Sequence, residues 1–144
     1  TTNGGYPLDQ NAYQCPKGMS AAEATVNDGG VIIMLATWQD GHGGESYYHS
    51  IADAESADAF FQQCLHTPQV ETLPDQWCAQ IWCRIVRKYK VLFVADKAQE
   101  QLIRDLKVEY FETLDEAYAR ARELKGPDAT LTCIPNGVSV VVKD

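Results

Sequence analysis

The segment Val31-Ile32-Ile33-Met34-Leu35-Ala36 constrains the fold more than any other stretch of the chain, because it holds no polar residue at all. A strand with one wet face alternates apolar and polar side chains. A strand that is apolar throughout has to be covered on both faces, as in a parallel sheet flanked by helices. The run is far shorter than the roughly 20 residues a membrane helix needs. Val91-Leu92-Phe93-Val94-Ala95 repeats the pattern. Helical signatures surround both runs. Gln10 to Lys17 reads as helical. Ser20-Ala21-Ala22-Glu23 has the form of a capping box, opening a helix to Val26 that Gly29-Gly30 ends. Helices are also expected from Ser46 to Ile51 and from Ala54 to Leu65.

Thr72 with Pro74 reads as the start of a helix reaching Lys88, with Trp77, Cys78, Ile81, Trp82, Ile85 and Val86 on one stripe. Ala98 to Leu106 follows as a short helix, then a brief strand at Glu109-Tyr110-Phe111. Thr113-Leu114-Asp115-Glu116 is a second capping box, whose helix should bury Leu114, Ala117, Tyr118, Ala121 and Leu124 before Gly126-Pro127 stops it. Ala129 to Ile134 and Val138 to Val142 flank Pro135-Asn136-Gly137, a tight-turn signal that predicts a terminal β-hairpin. Asn3-Gly4-Gly5-Tyr6-Pro7 reads as a loop after a strand lying mostly upstream. The expected fold is therefore α/β: a three-layer sandwich with a largely parallel central sheet, helices on both faces and a C-terminal β-hairpin. Residues 1–144 form one domain, a length that suits a single core.

Composition narrows the partners. Twenty acidic residues against 12 basic ones give a net charge of −8, which argues against nucleic acid and anionic membranes. No basic stretch followed by an apolar core opens the chain, so no signal peptide is read. The five cysteines, Cys15, Cys64, Cys78, Cys83 and Cys133, are odd in number and follow no zinc spacing. They read as reduced structural thiols of a cytoplasmic protein. His42, His49 and His66 are scattered, so no metal site held wholly by this chain is expected. The first residue is Thr1 rather than Met, which suggests a processed protein or a piece of a larger one.

Polar signals gather in the segments that follow the expected strands, where open α/β sheets bind ligands. In Asp9-Gln10-Asn11-Ala12-Tyr13-Gln14-Cys15-Pro16-Lys17-Gly18, Gln14 and Lys17 are three apart and Tyr13 and Lys17 four apart, so a helix would place them together. An ammonium beside an amide can clamp a carboxylate; a merely solvated helix face has the same composition. Asp40-Gly41-His42-Gly43-Gly44-Glu45 is a glycine-rich turn before a helix, suited to close ligand approach or simply to a turn. It matches neither the P-loop nor the dinucleotide fingerprint. Trp77, in the first turn of its expected helix, suits either a pocket wall or the core.

Gly4-Gly5-Tyr6-Pro7-Leu8-Asp9-Gln10-Asn11, Tyr13-Gln14, Lys17-Gly18-Met19, Ala21-Ala22-Glu23-Ala24, Asp40 to Glu45, Asp75-Gln76-Trp77 and Ile134-Pro135-Asn136-Gly137-Val138 together resemble the C-terminal domain of the nickel-dependent lactate racemase family. Gly29-Gly30-Val31-Ile32-Ile33 continues the resemblance, which spans essentially the whole chain in order. It implies the C-terminal part of a two-domain cytoplasmic enzyme that racemises or epimerises a small 2-hydroxy acid with a nickel-pincer nucleotide. In that family a hydride leaves the substrate's α-carbon for the cofactor, a histidine takes the hydroxyl proton, and the keto acid regains the hydride on its other face.

The resemblance places the acid/base histidines, the nickel ligand and the cofactor's covalent lysine in an N-terminal domain, so no catalytic or metal residue is expected here. Carried over by position, Gln14 and Lys17 would hold the substrate carboxylate, and Tyr13 and Trp77 would line the pocket. Asp9, Asp40 and His42 stand in a second tier, with turn-forming or domain-closing roles equally open. The isolated chain is expected to be inactive. The competing reading is a non-catalytic α/β module that binds an anion or nucleotide at the Asp40–Glu45 turn.

Overall fold

In the computed structural model, which describes residues 1–143, the two apolar runs lie side by side as parallel strands. β1 (Val31–Leu35) pairs with β2 (Lys90–Val94), from Val31↔Lys90 to Leu35↔Val94. β3 (Glu109–Phe111) joins the far edge of β2, also parallel, giving the order β1-β2-β3. On the outer side of β1, Thr2 bridges to Leu35 in parallel, the trace of strand expected before the Asn3 loop. β2 is central and accordingly dry: Phe93 faces one side of the sheet and Leu92 the other, both fully buried.

The helices are α1 (Pro16–Glu23), α2 (Glu45–Ala52), α3 (Ala57–His66), α4 (Gln76–Lys88), α5 (Glu100–Asp105) and α6 (Leu114–Lys125). The thick layer is the one under Ile32, Met34 and Phe93, where Met19 of α1, Tyr47 and Ile51 of α2, Phe60 of α3 and Trp82 of α4 join a single cluster. Burial of such side chains contributes about 1.5–3 kcal/mol each before entropy is counted. Val31, Ile33, Leu35, Leu92 and Val94 meet α6 through Ala117 and Ala121 on the opposite face.

Four local expectations change. Residues 10–17 are not one helix: Ala12–Gln14 form a 3-10 turn, and α1 begins at Pro16, whose missing N–H costs nothing at a first helical position. Ser20 therefore lies inside α1, its hydroxyl donating to the Pro16 carbonyl (2.7 Å) instead of capping Glu23. α4 begins at Gln76 with Asp75 as its N-cap, so Thr72 and Pro74 precede the helix. Only Ala117 of the α6 stripe is fully buried; Leu114, Tyr118 and Leu124 stay 40–48% exposed. Tyr118 and Leu124 line an open cavity of about 430 Å³ with Val26, Val31 and Leu131.

The C-terminal hairpin is absent: residues 129–134 and 138–142 form no strands. Their turn is held by the start of the chain instead. The Thr2 N–H donates to the Ile134 carbonyl (3.2 Å) and the Gly137 N–H to the Thr2 carbonyl (2.8 Å). Gly137 also lies against Gly18 so closely that a Cβ would come within 2.7 Å of the Gly18 Cα. The capping box at Thr113 is present as read, with Thr113 and Glu116 bonded reciprocally.

Candidate functional site

Beneath the site lies a buried asparagine. Asn3 donates from Nδ2 to the Leu8 carbonyl (2.6 Å) and the Gln14 carbonyl (2.8 Å), and its Oδ1 accepts the Gly18 N–H (2.9 Å). One side chain thus fixes the loop after Thr2 against the start of α1. A Cβ at position 18 would fall 2.5 Å from Asn3 Oδ1, which explains glycine directly after Lys17.

The two polar segments singled out in the sequence are stitched together. The Trp38 N–H donates to Asp9 O, Asp40 N–H to Gln10 O, Ala12 N–H to Gly41 O and Tyr13 N–H to His42 O, at 2.8–3.1 Å. Asn11 adds a side-chain bond to Asp40 Oδ2 (3.3 Å), and a Cβ on Gly43 (φ +77°) would collide with the Asn11 amide. Asp9 and Asn11 are buried, each with an Oδ1 that has no partner. His42 accepts the Gly44 N–H at Nδ1 (3.1 Å) and stacks on Tyr48, with ring centroids 5.0 Å apart. Its acceptor nitrogen is thus occupied in shaping the turn. The N–H groups of Asp40, Gly41 and Gly44 are all donated inside the molecule, and Asp40 and Glu45 add negative charge. The turn therefore has little to offer an anion.

Above this base lies an exposed rim. The Tyr13 ring makes edge contacts with Tyr47 (5.5 Å) and Trp77 (6.0 Å). Its hydroxyl donates to Asp75 Oδ1 (3.2 Å), and the Cys78 thiol donates to its carbonyl oxygen (3.3 Å). Burial, then the neighbouring Cys78 and Asp75, raise the Tyr13 pKa above its usual 10, so the phenol stays neutral. Trp77 leaves the core stripe of α4 and is 57% exposed. Lys17 is exposed, and its ammonium donates to Gln14 Oε1. The spacing of three survives the change of helix start, because Gln14 ends the 3-10 turn directly before α1.

All seven sequence candidates therefore belong to one end of the molecule. Tyr13, Gln14, Lys17 and Trp77 form its rim, Asp40 and His42 shape the neighbouring turn, and Asp9 is buried below. Asp75 escaped the sequence reading as a site residue, as did Asn3 and Asn11. The signal for Asp75 was Pro74-Asp75, a turn pair, and Asp is among the few residues that tolerate a left-handed backbone.

Chemically the rim can bind and orient. Nucleophilic chemistry is not favoured: burial pushes the Cys78 and Cys83 thiols up to about 12 and that of Cys15 higher still, far from thiolate formation at neutral pH. All five cysteines are free thiols. Among the described residues no group of three His, Cys, Asp or Glu side chains is placed to hold a metal ion, and no helix is long and apolar enough to cross a membrane.

The sequence matches a family described as the lactate racemase C-terminal domain over residues 1–142. It is 50% identical over 143 residues to a lactate racemase of Lactiplantibacillus plantarum, covering 99% of this chain and 34% of that protein. It is 43% identical to a lactate racemase of Thermoanaerobacterium thermosaccharolyticum, covering 100% of this chain and 34% of that one. The solved apoprotein structure of the lactate racemase from T. thermosaccharolyticum superposes with a TM-score of 0.96 at 43% identity, over 99% of this chain and 34% of that chain. The chain thus spans about a third of the length of these relatives.

Proposed function

Since the chain belongs to the lactate racemase C-terminal domain family, we propose that it forms one wall of the active site of a 2-hydroxy-acid racemase or epimerase, an isomerase. The remaining polypeptide of the parent enzyme is its partner and supplies the opposite wall, and the enzyme works in the cytoplasm. Small-molecule sites favour such domain junctions. The observation that carries the reading is the pair of exposed Lys17 and half-buried Gln14 set on the same rim as Tyr13 and Trp77.

A 2-hydroxy acid presents a carboxylate and an α-carbon to be inverted. The Lys17 ammonium and the Gln14 amide hold the carboxylate, with Gln14 also bracing the lysine. Holding that end fixes the α-carbon in a near-attack position without entering the bond changes. Tyr13 and Trp77 exclude water along the flank and offer aromatic surface to a flat ring. That surface suits the nicotinate-derived ring of a nickel-pincer nucleotide, which when bound would supply reversible acceptance of the α-hydrogen with its electron pair. The chain does not suit the metal itself, since its described residues group no ligand set. The family resemblance assigns the nickel ligand and the acid/base histidines to the remaining two-thirds of the enzyme, and the isolated chain is inactive.

The test is Lys17→Ala and Gln14→Ala in the racemase that carries this domain. Loss of a charge-assisted contact worth about 1.5–3 kcal/mol lowers kcat/KM about 10- to 100-fold for Lys17→Ala. Activity indifferent to both substitutions would remove the carboxylate-holding role.

A further inference from the structure

We propose that Asp75 is the positioning residue that sets both aromatic members of the rim, Tyr13 through its carboxylate and Trp77 through the start of α4. Asp75 has φ +60° and ψ 2°, a left-handed backbone that glycine favours and other residues rarely adopt. Such conformations persist where the surroundings over-determine them. Here the backbone carbonyl of Asp75 accepts the N–H groups of Cys78 (2.9 Å) and Ala79 (3.2 Å), which opens the helix. An aspartate at an N-cap ordinarily turns its side chain onto the first N–H groups of its own helix. Asp75 makes no such bond. Its Oδ1 accepts the Tyr13 hydroxyl instead, and its Oδ2 lies 3.6 Å from where a Cβ on Gly44 would sit. The cap's most available local partner is forgone in favour of a phenol far away in sequence.

One residue therefore joins two segments, the Tyr13 turn and the helix that carries Trp77, with its carboxylate close to the glycine-rich turn. The phenol is held as a donor, consistent with its raised pKa, and the ring edge toward Trp77 is held with it. The inference rests on the reading of this rim as a substrate and cofactor wall.

The experiment uses the full-length racemase carrying this domain, with Asp75→Gly, Asp75→Asn, Tyr13→Phe and the double variant Asp75→Gly/Tyr13→Phe. Glycine keeps the left-handed backbone and deletes the acceptor; asparagine keeps both. Asp75→Gly should lower kcat about tenfold, and Asp75→Asn should restore kcat to within about threefold of the parent. Tyr13→Phe should match Asp75→Gly, and the double variant should be no worse than either, since both remove the same contact. Wild-type kcat in Asp75→Gly, fully additive losses in the double variant, or an Asp75→Gly chain that fails to fold would each overturn the proposal and assign Asp75 to the backbone alone. Lys17→Ala separates the two readings. Full activity in both Lys17→Ala and Gln14→Ala would remove the underlying carboxylate-holding role, whereas an impaired Lys17→Ala beside an unaffected Asp75→Gly would remove only the role of Asp75.

Discussion

Asn3 and Lys17 flank the same polar segment and are used in opposite ways. Asn3 is wholly buried, with both ends of its amide bonded to backbone, whereas Lys17 is exposed and touches only the neighbouring Gln14 among the hydrogen bonds it makes. The same contrast runs through the whole site. Asn3, Asn11 and Asp9 lie inside a net of backbone bonds, while Gln14, Lys17 and Trp77 stand above it. The buried polar residues fix the path of the chain. The exposed ones contribute little to the fold and are free to be chosen for contact. A site divided in this way separates the consequences of substitution: damage below should appear as lost stability, and damage above as lost activity.

The hardest test of that division is Asn3→Ala. It leaves the Gly18 N–H and the carbonyls of Leu8 and Gln14 without partners in a buried setting. A loss of about 3 kcal/mol or more in urea unfolding is expected; a loss below about 0.5 kcal/mol, the size usual for surface changes, would erase the distinction.

Alkaline titration probes the interior as a whole. The Cys78 and Cys83 thiols are raised from 9.0 to about 12 by burial, so the folded state keeps protons that the unfolded chain releases. The associated stability is fully present below pH 9 and falls as pH rises from there toward 12. Urea midpoints measured along that range should drop, and Cys83→Ala should flatten the drop. The smallest stability effect is expected at the rim: Trp77→Ala should shift unfolding by less than about 1 kcal/mol, against the 3–5 kcal/mol typical of a core tryptophan. A core-sized loss would place Trp77 with the lower layer.

What the sequence revealed follows the range of the forces involved. β1 and β2 are legible because a parallel strand buried on both faces has only apolar residues to use. The Thr113 box is legible because it closes within one helical turn. Gln14 and Lys17 are legible by spacing, which the shift of the helix start to Pro16 left intact. The hairpin failed because Asn136-Gly137 signals a turn but not its partner, and the partner is Thr2 from the opposite end of the chain. Ser20 failed because Pro16 offered a competing helix start. Asp75 was missed as a site residue because its role depends on Tyr13, which only the folded chain brings within reach.

The row of rings from rim to sheet also has an optical consequence. Trp77 faces Tyr13 edge-on, Tyr13 faces Tyr47, Tyr47 faces Trp82, and Trp82 lies beside Phe93 of the central strand. Of the three tryptophans, Trp38 and Trp82 are sealed from solvent and only Trp77 is open to it. A water-soluble collisional quencher therefore silences Trp77 selectively, while the two buried indoles keep emitting at shorter wavelength. The domain thus carries its own fluorophore at the rim, and anything that settles there can be followed, without a label, by how well it shields that one emitter.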